Sequence, residues 1–214
     1  MPPTTHRNIY VLITGFDPIP ETAHHPSYYA AKPLNGTQIS LPGHRNTVTL
    51  HLTVIEVPVV YADVLSLVPG LHQVPPTLPE SGSVTDAPPP PQGGYDFIFH
   101  LGQELAGAIY VETLGHQAGY NEEDLMGELP PVMPGARPFA EPENGIKITD
   151  DRVVQSHDAG RFLCDFIYNC SLAESARKVL FMHVPHAGRP HTLDEMTQTI
   201  RQVVSWVAVN YIDV

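Results

Sequence analysis

Cysteine is scarce in this chain: two residues among 214, at positions 164 and 170. So few thiols build no disulfide framework, and the expected home is a reducing compartment, the cytoplasm. Basic residues are also few, 11 Lys and Arg against 23 Asp and Glu. That balance disfavours nucleic acids and anionic membranes as partners, since both are held by concentrated positive charge. No run of about 18 apolar residues occurs, so no membrane span is expected. The opening "MPPTTHRN" has no apolar stretch of the kind a secretory signal carries. A G-x-G-x-x-G loop is missing as well, and "LGHQAG" is too weak a motif to claim a nucleotide.

What remains is a globular composition, 42% hydrophobic, on a chain long enough for one substantial core. "NIYVLITGF" (8–16) and "TVTLHLTVIEVPVV" (47–60) have the apolar, β-branched character of buried strands. "YDFIFHLG" (95–102), "AIYVETLG" (108–115) and "KVLFMHVP" (178–185) are three more strand candidates. Between them, "YADVLSLVPGL" (61–71) places Val64, Leu65 and Val68 at helical spacing before Pro69, where the helix is expected to stop. The clearest helix is "HTLDEMTQTIRQVVSWVAVNY" (191–211), with Thr192 and Glu195 as a capping box and Met196, Ile200, Val203 and Val207 as its buried stripe. Strands interleaved with helices predict an α/β fold: a single-domain, three-layer α/β/α sandwich around a mostly parallel twisted sheet, spanning residues 1–214. Two proline-rich stretches, 73–94 and 127–145, are expected to be loops.

The two cysteines lie in "QSHDAGRFLCDFIYNCSL" (155–172). If residues 161–176 are helical, six residues of rise separate the thiols by about 9 Å, and a bridge fails beyond about 7 Å between Cα atoms. At about 100° per residue, Phe162, Leu163, Phe166, Ile167 and Cys170 share one face, and Cys164 points roughly 120–130° away from it. Cys170 then reads as a core thiol. Upstream, Asp158 is one candidate N-cap. Alternatively Gly160 breaks the chain, so that the helix starts beside Leu163 and Cys164 falls in its first turn. There, unpaired N–H groups and the helix dipole favour a thiolate.

A cysteine nucleophile needs an imidazole to move its proton and a third group to orient that imidazole. In α/β folds such groups gather at the carboxyl ends of strands. His183, in "VLFMHVP", and Glu112, in "AIYVE", occupy such places. "HVPHAGRPH" (183–191) makes a poor metal motif, because Pro185 and Pro190 forbid the helical spacing of common zinc sites.

The blocks "VLITGFDPI", "FHLGQELAGAIYVETLGHQAGYNEED", "SHDAGRFLCDFIYNCSL" and "VLFMHVPHAGRP" resemble, in order, the signature blocks of the type I pyroglutamyl peptidases (pyrrolidone-carboxylate peptidases). The resemblance implies a cysteine exopeptidase that removes an N-terminal pyroglutamyl residue from small peptides through a thioester. It assigns Cys164 as nucleophile, His183 as general base and acid, and Glu112 as orienter. It also assigns Phe16, Ile19, Gly102 and Gln103 to the lactam pocket. It calls for no cofactor and no metal, and it allows both a monomer and a homo-oligomer. The chain departs from the family pattern at Ile19, at "HPSY" (25–28), in the long loop before Tyr95, and in a run from Gly102 to Glu112 that is one residue short.

Overall fold

A computed structural model of the chain describes residues 5–16, 26–42, 46–78, 86–104, 107–116, 118–131, 137–138 and 150–212. Its elements, in chain order, are β1 (Thr5–Phe16), α1 (Pro26–Ala31), β2 (Gln38–Pro42), β3 (Asn46–Val57), α2 (Tyr61–Leu71), β4 (Phe97–Glu104), β5 (Ile109–Glu112), β6 (Leu114–Gly115), β7 (Arg137–Pro138), β8 (Val153–Ser156), α3 (Leu163–Glu174), β9 (Val179–Pro185) and α4 (Leu193–Val207). The main sheet has seven strands in the order β2-β3-β1-β4-β9-β5-β8, and β6 pairs with β7 apart from it.

The order follows from apolar content. β1 buries Ile9, Val11, Leu12 and Ile13 on both of its faces, so it must be central and covered twice. It pairs in parallel with β3 along twelve residues and with β4 from Val11↔Phe97 to Gly15↔Leu101. β4 pairs in parallel with β9, Gly102 standing beside His183. β2 and β5 run against their neighbours β3 and β9, so the sheet is mixed although mostly parallel. β3 buries Val48, Leu50, Leu52 and Val54 on one face and Thr49, Thr53 and Ile55 on the other, since side chains alternate along a pleated strand.

Alternation also assigns the two outer layers. Phe97 on β4 meets Tyr211 just beyond α4, with ring centroids 5.9 Å apart. Thr197 on α4 donates its hydroxyl to the Ala30 carbonyl of α1 at 2.6 Å. Gly102, five residues from Phe97 and hence on the opposite face, lies against Cys164 of α3. Tyr61 of α2 packs edge-on against Phe166 of α3, centroids 4.9 Å apart. The helices therefore form two pairs, α1 with α4 and α2 with α3, one on each side of the sheet. This is the expected layered α/β arrangement.

Several element boundaries differ from expectation. α2 runs through Pro69 to Leu71, because a proline in the last turn removes only one backbone bond of the helix. Its buried residues are Tyr61, Val64, Val68 and Leu71, whereas Leu65 is exposed. The expected strand 108–115 is two short strands broken at Thr113. α3 is shorter than 161–176 at both ends. Elements α1, β2 and β8 were not expected from the pattern. α4 matches closely: Glu195 N–H donates to the Thr192 hydroxyl at 3.2 Å, and Thr192 N–H donates to Glu195 Oε2 at 2.8 Å.

Candidate active site

The start of α3 sets the position of Cys164. Gly160 takes a positive φ of 81°, a backbone state that glycine enters without a Cβ penalty. Asp158 does not cap the helix: its Oδ1 accepts from Gly160 N–H at 3.2 Å and from the Arg161 guanidinium at 2.6 Å. The N-cap is Phe162, which has no side chain to accept a hydrogen bond. Of the two starts open in the sequence, the one beside Leu163 is found, and Cys164 is the second helical residue. A helix that begins without a capping side chain turns its first N–H groups outward. Both cysteines are free thiols, Cys164 partly exposed and Cys170 buried. Burial pushes the Cys170 thiol up to about 12.

His183 comes from β9, fifth of its seven residues rather than at the very end. Across the antiparallel β5–β9 pair, Tyr110 faces His183 and Glu112 faces Phe181. Glu112 is thus the diagonal neighbour of His183 on one sheet face, and His183 Nδ1 meets its Oε1 at 2.8 Å. Both are buried, Glu112 at 1% exposure and His183 at 4%. Glu112 Oε2 has no hydrogen-bond partner among the described residues, and Oε1 is the oxygen that engages the imidazole. Burial acts to lower the His183 pKa, but hydrogen bonds to Cys164 and Glu112 and their negative charges outweigh it and hold the imidazole well above its ordinary 6.5.

Gly102 is the floor on which sulfur and imidazole meet. A Cβ there would stand 2.6 Å from Cys164 Sγ, 2.6 Å from Phe181 Cζ and 3.1 Å from His183 Cδ2. Any larger residue would push the thiol and the ring away. Next to it, Gln103 directs its amide toward the His186 ring, 2.5 Å from Nε2, while its Oε1 is buried with no partner among the described residues. Phe16 is buried at the end of β1, its N–H held by the Ser27 hydroxyl at 3.1 Å. Ile19, and His25 of the "HPSY" segment, lie outside the described residues.

Searched for relatives, the chain is 30% identical over 211 residues to human pyroglutamyl-peptidase 1, covering 91% of this chain and 87% of that one. It belongs to the pyroglutamyl-peptidase 1 family. The rat pyroglutamyl-peptidase 1 matches at the same identity and coverage. A human pyroglutamyl-peptidase 1-like protein is 25% identical over 184 residues, 81% of this chain and 85% of that one. No family model matches the chain. Among solved structures, pyroglutamyl peptidase I from Bacillus amyloliquefaciens superposes with a TM-score of 0.67 at 21% identity, over 94% of this chain and 96% of that one. A variant of pyrrolidone carboxyl peptidase from Pyrococcus furiosus gives a TM-score of 0.64 at 20% identity, over 95% and 100%. The family fold is therefore shared along nearly the whole chain.

Sequence reasoning missed four residues beside this cluster: Asp165, His116, Tyr120 and His186. Asp165 follows Cys164 directly and is fully buried. It accepts from His116, in the "LGHQAG" stretch set aside above as a weak nucleotide motif, and from Tyr120 just after it. The available signal was an acid placed next to Leu163 and Phe166 in an apolar helix, since a buried carboxylate requires donors. His186 was read only as part of a poor metal motif, and its contact with Gln103 was not legible.

Proposed function

We propose that this family member is a cysteine exopeptidase that releases N-terminal pyroglutamate from peptides, with Cys164 as nucleophile, His183 as general base and acid, and Glu112 as orienter. Carrying the reading is one observation: Cys164 Sγ and the His183 ring converge on Gly102 while Glu112 holds the far nitrogen of that ring. Family membership supplies the substrate class.

The chemistry follows from the placement. Glu112 takes the Nδ1 proton in a hydrogen bond and so aims Nε2 at the sulfur. The thiolate adds to the carbonyl carbon of the peptide bond that follows the pyroglutamyl ring. Charge gathers on the carbonyl oxygen, where N–H groups of the uncapped α3 start are the candidate donors. His183 then protonates the departing amine, the C–N bond breaks, and a thioester is left on Cys164. Water attacks the thioester, His183 takes its proton, and free pyroglutamate and thiol are restored. The lactam is uncharged, so an apolar wall with a few amide contacts suits it. Phe16 supplies a wall, Gln103 has a buried acceptor with no partner among the described residues, and Ile19 joins them in this assignment.

A panel of pyroglutamyl and unblocked aminoacyl reporter amides tests the reading. Cleavage of the pyroglutamyl amides alone is the expected result. Cleavage of the unblocked ones alone would instead assign a related cysteine amidohydrolase with shifted specificity.

A further inference from the structure

Asp165 is spent in an unusual way. As the third residue of α3 it stands where an acid ordinarily reaches back to the N–H of its own helix cap. Here it turns outward to another segment. Its Oδ1 accepts from His116 Nδ1 at 2.9 Å, both oxygens lie 3.1 Å from the His116 backbone N–H, and the Tyr120 hydroxyl reaches Oδ2. The Tyr120 hydroxyl also lies 2.7 Å from the His116 carbonyl, and its ring packs edge-on against Phe166, the helical residue directly after Asp165. Asp165 is 0% exposed, and the His116 side chain is 19% exposed. The carboxylate therefore binds a loop rather than water.

That loop comes directly from the segment bearing Glu112: β5 ends at Glu112, β6 covers Leu114–Gly115, and His116 follows. The helix side of the clamp is the residue after Cys164. Phe162 gives α3 no side-chain cap, so Asp165 is the polar side chain that anchors this first turn. We propose that Asp165, clamped by His116 and Tyr120, is a positioning residue that fixes Cys164 relative to the Glu112–His183 pair. The inference rests on the reading of Cys164 as nucleophile. It adds a fixed distance between two segments that the pair alone does not secure.

The variants H116A, H116N, D165A and D165N test the clamp. Three readouts apply: kcat and KM on a pyroglutamyl amide, the iodoacetamide rate of Cys164, and the fraction of protein in which the buried Cys170 becomes titratable. H116A should lower kcat by about tenfold or more and slow alkylation while KM stays within about twofold, since no substrate contact is lost. H116N, whose amide N–H can take the place of Nδ1–H, should recover most of both rates, and D165N should likewise outperform D165A. A folded H116A with the parent's kcat and alkylation rate would overturn the clamp. So would a kcat deficit matched by the fraction of chains in which Cys170 has become titratable, which would mark plain unfolding. A parent protein without pyroglutamyl hydrolysis would sink the underlying reading. An active parent with an unaffected H116A would sink the clamp alone.

Discussion

The Tyr168 hydroxyl donates to the backbone carbonyl of Glu112 at 2.9 Å. This bond joins the α3 interior to the end of β5, just where the candidate orienting acid begins. Tyr168 is fully buried and its ring lies 5.7 Å from that of Phe181. Y168F would keep the ring packing and leave the carbonyl without its donor. The expected cost is about 1–2 kcal/mol of stability, read as a lower midpoint in urea unfolding with an unchanged slope.

The two thiols separate cleanly. C164A should abolish turnover and leave the unfolding midpoint nearly unchanged. C170A should keep turnover and lose about 1 kcal/mol through the small cavity it opens. With iodoacetamide at neutral pH, mass spectrometry of the folded protein should find Cys164 alkylated. Cys170, buried and with its pKa pushed up to about 12, should stay unmodified until the chain unfolds.

The pH profile carries a signed expectation. His183 is held above 6.5 by its partners, so the proton needed by the leaving amine is present below that raised value and lost above it. The alkaline fall in kcat should therefore lie well above 6.5. E112Q removes a charge that lifts the imidazole, so the fall should move to lower pH and kcat should drop by about 100-fold or more. The same shift contributes stability, since the folded state holds the proton more tightly than the unfolded chain. That contribution is full below pH 6.5 and fades as pH rises through the raised folded value. Urea titrations at several pH values check it.

Gly102 should tolerate nothing larger. In G102A the added methyl would sit 2.6 Å from Cys164 Sγ, closer than van der Waals contact permits, so the sulfur must move. A displacement near an ångström corresponds to about 100-fold in rate. Steady-state kinetics of G102A should show that loss mainly in kcat.

Much of the fold was legible because its long strands and α4 carry strong period signals. The runs 8–16, 47–60 and 178–185 fall on β1, β3 and β9, and the Thr192–Glu195 box marks the start of α4. Short elements left no such trace: β2, β7 and β8 are two to five residues long, too few to display a period, while β5 and β6 were read together as one strand. The continuation of α2 past Pro69 was hidden because a proline's effect depends on its distance from the helix end. Around Cys164, the angular count separated one thiol from the other, but only backbone geometry chose Gly160 over Asp158 as the determinant of the helix start. The clamp on Asp165 joins residues 45 and 49 positions apart, and local pattern does not report such pairings.

Because Glu112 and His183 pair beneath the surface, dissolved ions have little access to the space between them. A pair sealed in this way is weakly screened by salt, unlike an ion pair spread over an exterior face. The pyroglutamyl ring is neutral, so charge plays little part in its capture. The velocity of the reaction should then be nearly indifferent to ionic strength, although the chain itself is strongly acidic.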